Sequence, residues 1–94
     1  MKHYKWNPEK NDLLIKERGI SFERIVHFIE NKGVIDVITH PDQSKYPNQR
    51  MFIVNLDNYA YLVPFVENEE EIFLKTIIPS RKATKRYLET HDEY

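Results

Sequence analysis

Phe22, Ile25, Val26 and Ile29 recur at the i, i+3, i+4 and i+7 spacing of a helix that buries one face. Ser21 is placed to cap that helix and Asn31-Lys32-Gly33 to stop it. The period then changes: the β-branched residues Val34, Ile35, Val37, Ile38 and Thr39 favour a strand over 34–39. Ahead of both, Asn7-Pro8 is a helix-start signal, because the Asn side chain accepts from free backbone N–H groups and proline suits the first turn. A first helix over 8–18 follows, ended by Gly19, which tolerates a left-handed cap.

Residues 40–49 carry two prolines and several polar residues and predict a loop, long enough to be functional or mobile. Strands are expected over 50–56 and 59–66, joined by a hairpin turn at Asp57-Asn58. Tyr59 and Tyr61 share one face of the second strand with Val63 and Phe65, a pattern that usually means core. Pro64 cannot donate to a ladder, so it argues for an edge position or a bulge. An acidic turn over 67–70 leads to a final strand over 71–78, ended by Pro79. Ser80 can cap a last helix over 81–89, beyond which 90–94 should fray. The expected architecture is α+β: two N-terminal helices, a four-stranded mainly antiparallel sheet and a C-terminal helix.

Composition narrows the class. Ninety-four residues suit a single domain over 1–94 with a thin core. With 40% hydrophobic and 31% charged residues the chain is expected to fold as an ordinary globular protein. No apolar run approaches the roughly 20 residues of a spanning helix. The opening Met-Lys-His-Tyr-Lys-Trp lacks a signal-peptide apolar core. A cytoplasmic location without membrane contact is expected.

The chain has no cysteine, which removes disulfides, thiolate metal sites and a cysteine nucleophile. His3, His27, His40 and His91 show no ligand spacing, so no metal and no cofactor is expected. Net charge is only −1, but its distribution is uneven. Lys75, Arg81, Lys82, Lys85 and Arg86 follow one another without an intervening acid, just after the acidic Glu67, Glu69, Glu70 and Glu71.

The opening Tyr4-Lys5-Trp6-Asn7-Pro8-Glu9-Lys10-Asn11, then Lys16-Glu17-Arg18-Gly19-Ile20-Ser21-Phe22-Glu23, resembles the start of BrnT-type toxins. The closing Ile77-Ile78-Pro79-Ser80-Arg81-Lys82-Ala83-Thr84 resembles the run by which that family enters its last helix. Two positions depart from the pattern. Arg18 stands where members often carry His, and Thr76 where the last strand often carries Arg, with Lys75 one place earlier. The resemblance implies a RelE-like endoribonuclease that cleaves messenger RNA, on the ribosome or free of it, and so inhibits translation. It further implies neutralisation by a cognate antitoxin with a DNA-binding segment, in a hetero-oligomeric complex.

A metal-free ribonuclease must activate a ribose 2′-hydroxyl, stabilise the extra charge on phosphorus and protonate the departing 5′ oxygen. Arg81 matches the family arginine at the start of the last helix and is the first candidate for the phosphate. Arg50, opening the second strand beside the long loop, is either a second phosphate clamp or an exposed edge-strand charge. Lys75 either projects from the sheet toward substrate or snorkels to solvent. Histidine is the side chain type best suited to general acid or base work near neutral pH, which makes His40 a candidate, yet a histidine before proline is commonly a plain loop residue. Lys10, at the family's first-helix lysine position, joins Lys82, Lys85 and Arg86 as candidate RNA contacts. Tyr46 and Tyr87 can stack on a base or donate a proton. Trp6 and His27 read as structural, and His3 and His91 carry no role. The competing reading is a non-catalytic nucleic-acid or protein binding module of the same fold. A third is a partner protein whose apolar sheet edge takes up another chain's strand or helix.

Overall fold

The computed structural model describes residues 2–89. Element order is β1 (His3–Lys5), α1 (Pro8–Arg18), α2 (Phe22–Glu30), β2 (Val34–Thr39), β3 (Arg50–Leu56), β4 (Tyr59–Glu67), β5 (Glu71–Leu74), β6 (Ile78–Pro79) and α3 (Arg81–Thr84). A π-helical turn, Lys85–Glu89, continues α3. The fraying expected of 90–94 lies outside the described residues, as does His91.

The α+β reading holds, with a larger sheet than the four strands expected. Five strands run in the order β1-β5-β4-β3-β2, and β6 pairs with β4. The pairings are antiparallel except for β1, which runs parallel to β5. β1 escaped the sequence reading because three residues carry too little periodicity to stand out.

Both helix starts form as their caps dictate. The Asn7 side chain accepts from the Glu9 and Lys10 N–H groups at 2.8 and 3.2 Å, and Ser21 Oγ from Arg24 N–H at 3.1 Å. Gly19 ends α1 at φ 68°. At the end of α2 it is Lys32, not Gly33, that takes the positive φ. Gly33 serves close approach instead, donating its N–H to the Phe28 carbonyl at 2.6 Å. In the β3–β4 hairpin Asp57 and Asn58 both have positive φ, 55° and 67°, the handedness that matches the twist of the flanking strands.

Pro64 sits in the middle of the sheet, and a bulge is how the chain accommodates it. Its carbonyl accepts from Lys75 N–H at 2.8 Å, so its ring nitrogen, which has no hydrogen, faces the same neighbour. The ladder breaks there. Phe65 pairs with Leu74 and Leu62 with Ile78, leaving Val63 and Pro64 opposite Lys75, Thr76 and Ile77. The single strand expected over 71–78 is therefore split into β5 and β6. The extra residue resets the faces: Leu74 and Ile77, three apart, both enter one core, which a regular strand forbids.

Alternation along the strands builds two cores. On one face Leu14, Phe22 and Ile25 pack on Phe52, Val54, Val63 and Phe65, and Tyr61 joins them as its pattern required. On the other, Ala83, Tyr87 and Leu88 pack on Ile53, Ala60 and Leu62. The N-terminal helices and the C-terminal helix thus lie on opposite sides of the sheet. Among the described residues no helix is long and apolar enough to cross a membrane.

Candidate functional site

The smaller core is incomplete, and its gap is a cleft of about 330 Å³. Its floor is Ile38, Met51, Ile53 and Leu62 from β2, β3 and β4, with Pro41 at one end. Its wall is the last helix, presenting Lys82, Ala83, Arg86 and Tyr87. Lys82 and Arg86 are four apart and share one stripe of that helix. The floor is apolar because β2, β3 and β4 each turn alternate side chains toward this face. Cations stand only along the helical wall.

The position of the wall is set by short polar links. Ser80 donates its N–H to the Ala60 carbonyl at 3.0 Å, and its Oγ accepts from Ala83 N–H at 3.0 Å. Thr84, buried, accepts from Ala60 N–H at 2.9 Å and donates to the Ser80 carbonyl at 2.7 Å. Further along, Tyr87 donates its hydroxyl to Asp36 Oδ2 at 2.9 Å. The hydrogen bond to Asp36, then burial and the charge of that carboxylate, raise the Tyr87 pKa above the usual tyrosine value, with Arg86 opposing. The Arg86 guanidinium lies 5.7 Å from the Tyr87 ring centre.

Of the residues singled out from the sequence, Lys82, Arg86 and Tyr87 meet in this cleft. Arg81, the first residue of α3, is exposed and belongs to the neighbouring stripe with Lys85, outside the lining. Arg50 is on the other face and not on an edge strand, because β3 lies between β2 and β4, where Arg50 pairs with Thr39 and Phe65. Its guanidinium binds the Glu67 carboxylate and stacks over the Phe65 ring at 5.2 Å, while Glu67 also receives Lys2 Nζ at 2.6 Å. Lys10 lies on α1, likewise across the sheet. Lys75 follows β5, in the bulge rather than mid-strand, exposed and 5.7 Å from the Phe73 ring.

The 40–49 loop is long but internally bonded. His40 N–H donates to the Gln49 carbonyl at 2.9 Å, and Tyr46 N–H to the Asp42 carbonyl at 2.9 Å. The Asp42 carboxylate accepts from Ser44 Oγ and Lys45 N–H. These bonds, with a smaller contribution from His40, hold its pKa below the usual aspartate value. His40 Nδ1 accepts from Asp42 N–H at 3.0 Å, and its ring lies 4.4 Å from that of Tyr46. Neither ring lines the cleft, although the neighbouring Pro41 does.

Two polar residues that sequence reasoning passed over prove central to the geometry. Asp36 holds Tyr87; its only sequence signal was an acid interrupting a run of β-branched residues. Asn11 is buried on α1, where it accepts from Phe22 N–H and donates to Glu23 Oε1, both at 2.8 Å. Its signal was a polar residue three before the buried Leu14 on the inward helical stripe. Among the described residues no group of three or more His, Asp or Glu side chains is placed to hold a metal ion. The chain matches no family model, no curated protein and no solved structure.

Proposed function

We propose that the chain is a metal-independent endoribonuclease of the RelE-like, BrnT type. In this reading it is the cytoplasmic toxin of a toxin–antitoxin pair, cleaving messenger RNA and held silent by a DNA-binding antitoxin. The observation that carries it is the cleft, where an apolar floor large enough for a base adjoins Lys82, Arg86 and the Tyr87 hydroxyl. A ribose 2′-hydroxyl gives up its proton to water and bonds to the adjacent phosphorus, the bond from phosphorus to the 5′ oxygen breaks, and that oxygen leaves with a proton, so that a 2′,3′-cyclic phosphate and a 5′-hydroxyl end result. Lys82 and Arg86 offset the charge that builds on phosphorus. Tyr87 is a proton donor for the leaving oxygen or a ring for stacking. Arg81, one stripe away, is a contact for the continuing RNA backbone.

One observation favours the competing module that binds nucleic acid or protein without cleaving. The candidates Arg50 and His40, which a full catalytic set would use, are engaged by Glu67 and by the Asp42 N–H. Inducing the chain alone, beside Arg81→Ala and Lys82→Ala/Arg86→Ala forms, separates the two. Growth arrest with new RNA ends, relieved by a co-expressed antitoxin and abolished in the double variant, supports the enzyme. Intact RNA with a folded chain that still retains RNA on a filter supports the module.

A further inference from the structure

The strand order ends on β1 at one side and on β2 at the other, and these two edges differ. β1 is three residues long, with Lys2 just before it and Lys5 at its end, the short, charged kind of edge that resists pairing with other chains. β2 has six residues, of which five are β-branched, with no lysine, arginine or proline among them. Its register with β3 shifts between Val34 and Asp36, so the regular part of this edge is Asp36–Thr39, and that part is a template for another strand.

Its one charge, Asp36, is turned onto the strand's own backbone. His40 N–H donates to Gln49 on the β3 side, so by alternation Ile38 and Asp36 also bond toward β3, while Val37 and Thr39 present their backbone groups to the free edge. Asp36 Oδ1 accepts from that outward Val37 N–H at 2.8 Å, and Asp36 Oδ2 is held by the Tyr87 hydroxyl at 2.9 Å. One carboxylate therefore closes the central amide of the edge and is itself fastened from the last helix.

We propose that β2 is a self-pairing edge held shut by Asp36, and that releasing this carboxylate lets two copies of the chain join through antiparallel β2 strands into one continuous sheet. A second copy fits this edge in a particular register. A dyad through Val37 sets that residue opposite its copy, where the two exchange the N–H and C=O groups that point outward. Asp36 then falls opposite Ile38 and never opposite its own copy, so no like charges meet. Val37, the one exposed large apolar side chain of β2 at 39%, is covered by its equivalent. Because Tyr87 also lines the cleft, a cleft ligand that takes the Tyr87 hydroxyl loosens the same latch.

Light scattering after size exclusion, across a concentration series from micromolar to millimolar, tests this on the full chain. The unaltered protein should be monomeric, Asp36→Val should double the mass, and Val37→Pro added to Asp36→Val should restore the monomer by deleting the amide the dyad needs. Tyr87→Phe, which leaves the sheet intact, should shift the balance toward dimer, to a smaller extent. If Asp36→Val fails to fold by circular dichroism, Tyr87→Phe decides alone. The proposal is overturned by a folded Asp36→Val chain, or in its default a Tyr87→Phe chain, that stays monomeric throughout. A dimer that survives Val37→Pro, or an unaltered chain that dimerises and is dissolved by Val37→Pro, overturns it equally.

Discussion

The buried Asn11 side chain accepts the Phe22 N–H at 2.8 Å, so the first residue of α2 is anchored by the middle of α1. That bond supplies a partner to a helix-start amide that has none within its own helix. Replacing Asn11 with Leu removes it and the Glu23 hydrogen bond together, stranding a buried donor. The expected loss is about 1–3 kcal/mol, read as a lower urea midpoint at unchanged slope.

Gly33 and Gly19 should respond to alanine for different reasons. A Cβ at Gly33 would lie 2.6 Å from the Phe28 carbonyl oxygen, and backbone must move to admit it, costing about 1–3 kcal/mol. A Cβ at Gly19 meets nothing within 4 Å, but its φ of 68° costs about 1 kcal/mol in the left-handed region. Thermal melts of the two variants should therefore rank Gly33→Ala as the less stable.

Lys82 and Arg86 should govern RNA affinity more than Lys10 or Arg50, which lie across the sheet. Removing one cation that neutralises a phosphate should flatten the plot of log affinity against log salt by about 0.7 for single-stranded RNA. Fluorescence anisotropy with a short labelled RNA measures this. Equal effects from Lys10→Ala and Lys82→Ala would move the interface away from the cleft.

The Tyr87 phenol, raised in pKa by Asp36, binds its proton more tightly in the folded chain than in the unfolded one. Its contribution to stability is thus fully present below the unfolded tyrosine pKa of about 10. It disappears as pH rises through the higher folded value. Urea midpoints followed from pH 8 to 11 should fall less steeply above pH 10 in Tyr87→Phe than in the unaltered chain.

Local chemistry made much of the fold legible. Asn7, Pro8, Gly19 and Ser21 act within a few residues of themselves, so their caps form where the pattern puts them. The Asp57-Asn58 turn and the core face of Tyr61, Val63 and Phe65 follow from local twist and strict alternation. Pro64 announced a ladder break through its missing N–H. The choice between edge and bulge depended on neighbouring strands, which no local pattern contains.

Neighbours also shaped the site. Lys82, Arg86 and Tyr87 come together because helical spacing puts them on one wall, and that much was encoded in their numbers. Their opposition to an apolar floor from three strands, and the separation of Arg50 and Lys10 on the far face, depend on which side of the sheet each helix packs. The order of residues was enough to set the caps, the turn and the alternating faces, since these rest on interactions spanning a few positions. That Asp36 would meet Tyr87, 51 residues later, was settled by the assembled fold, because a side chain's long-range partner is chosen by packing.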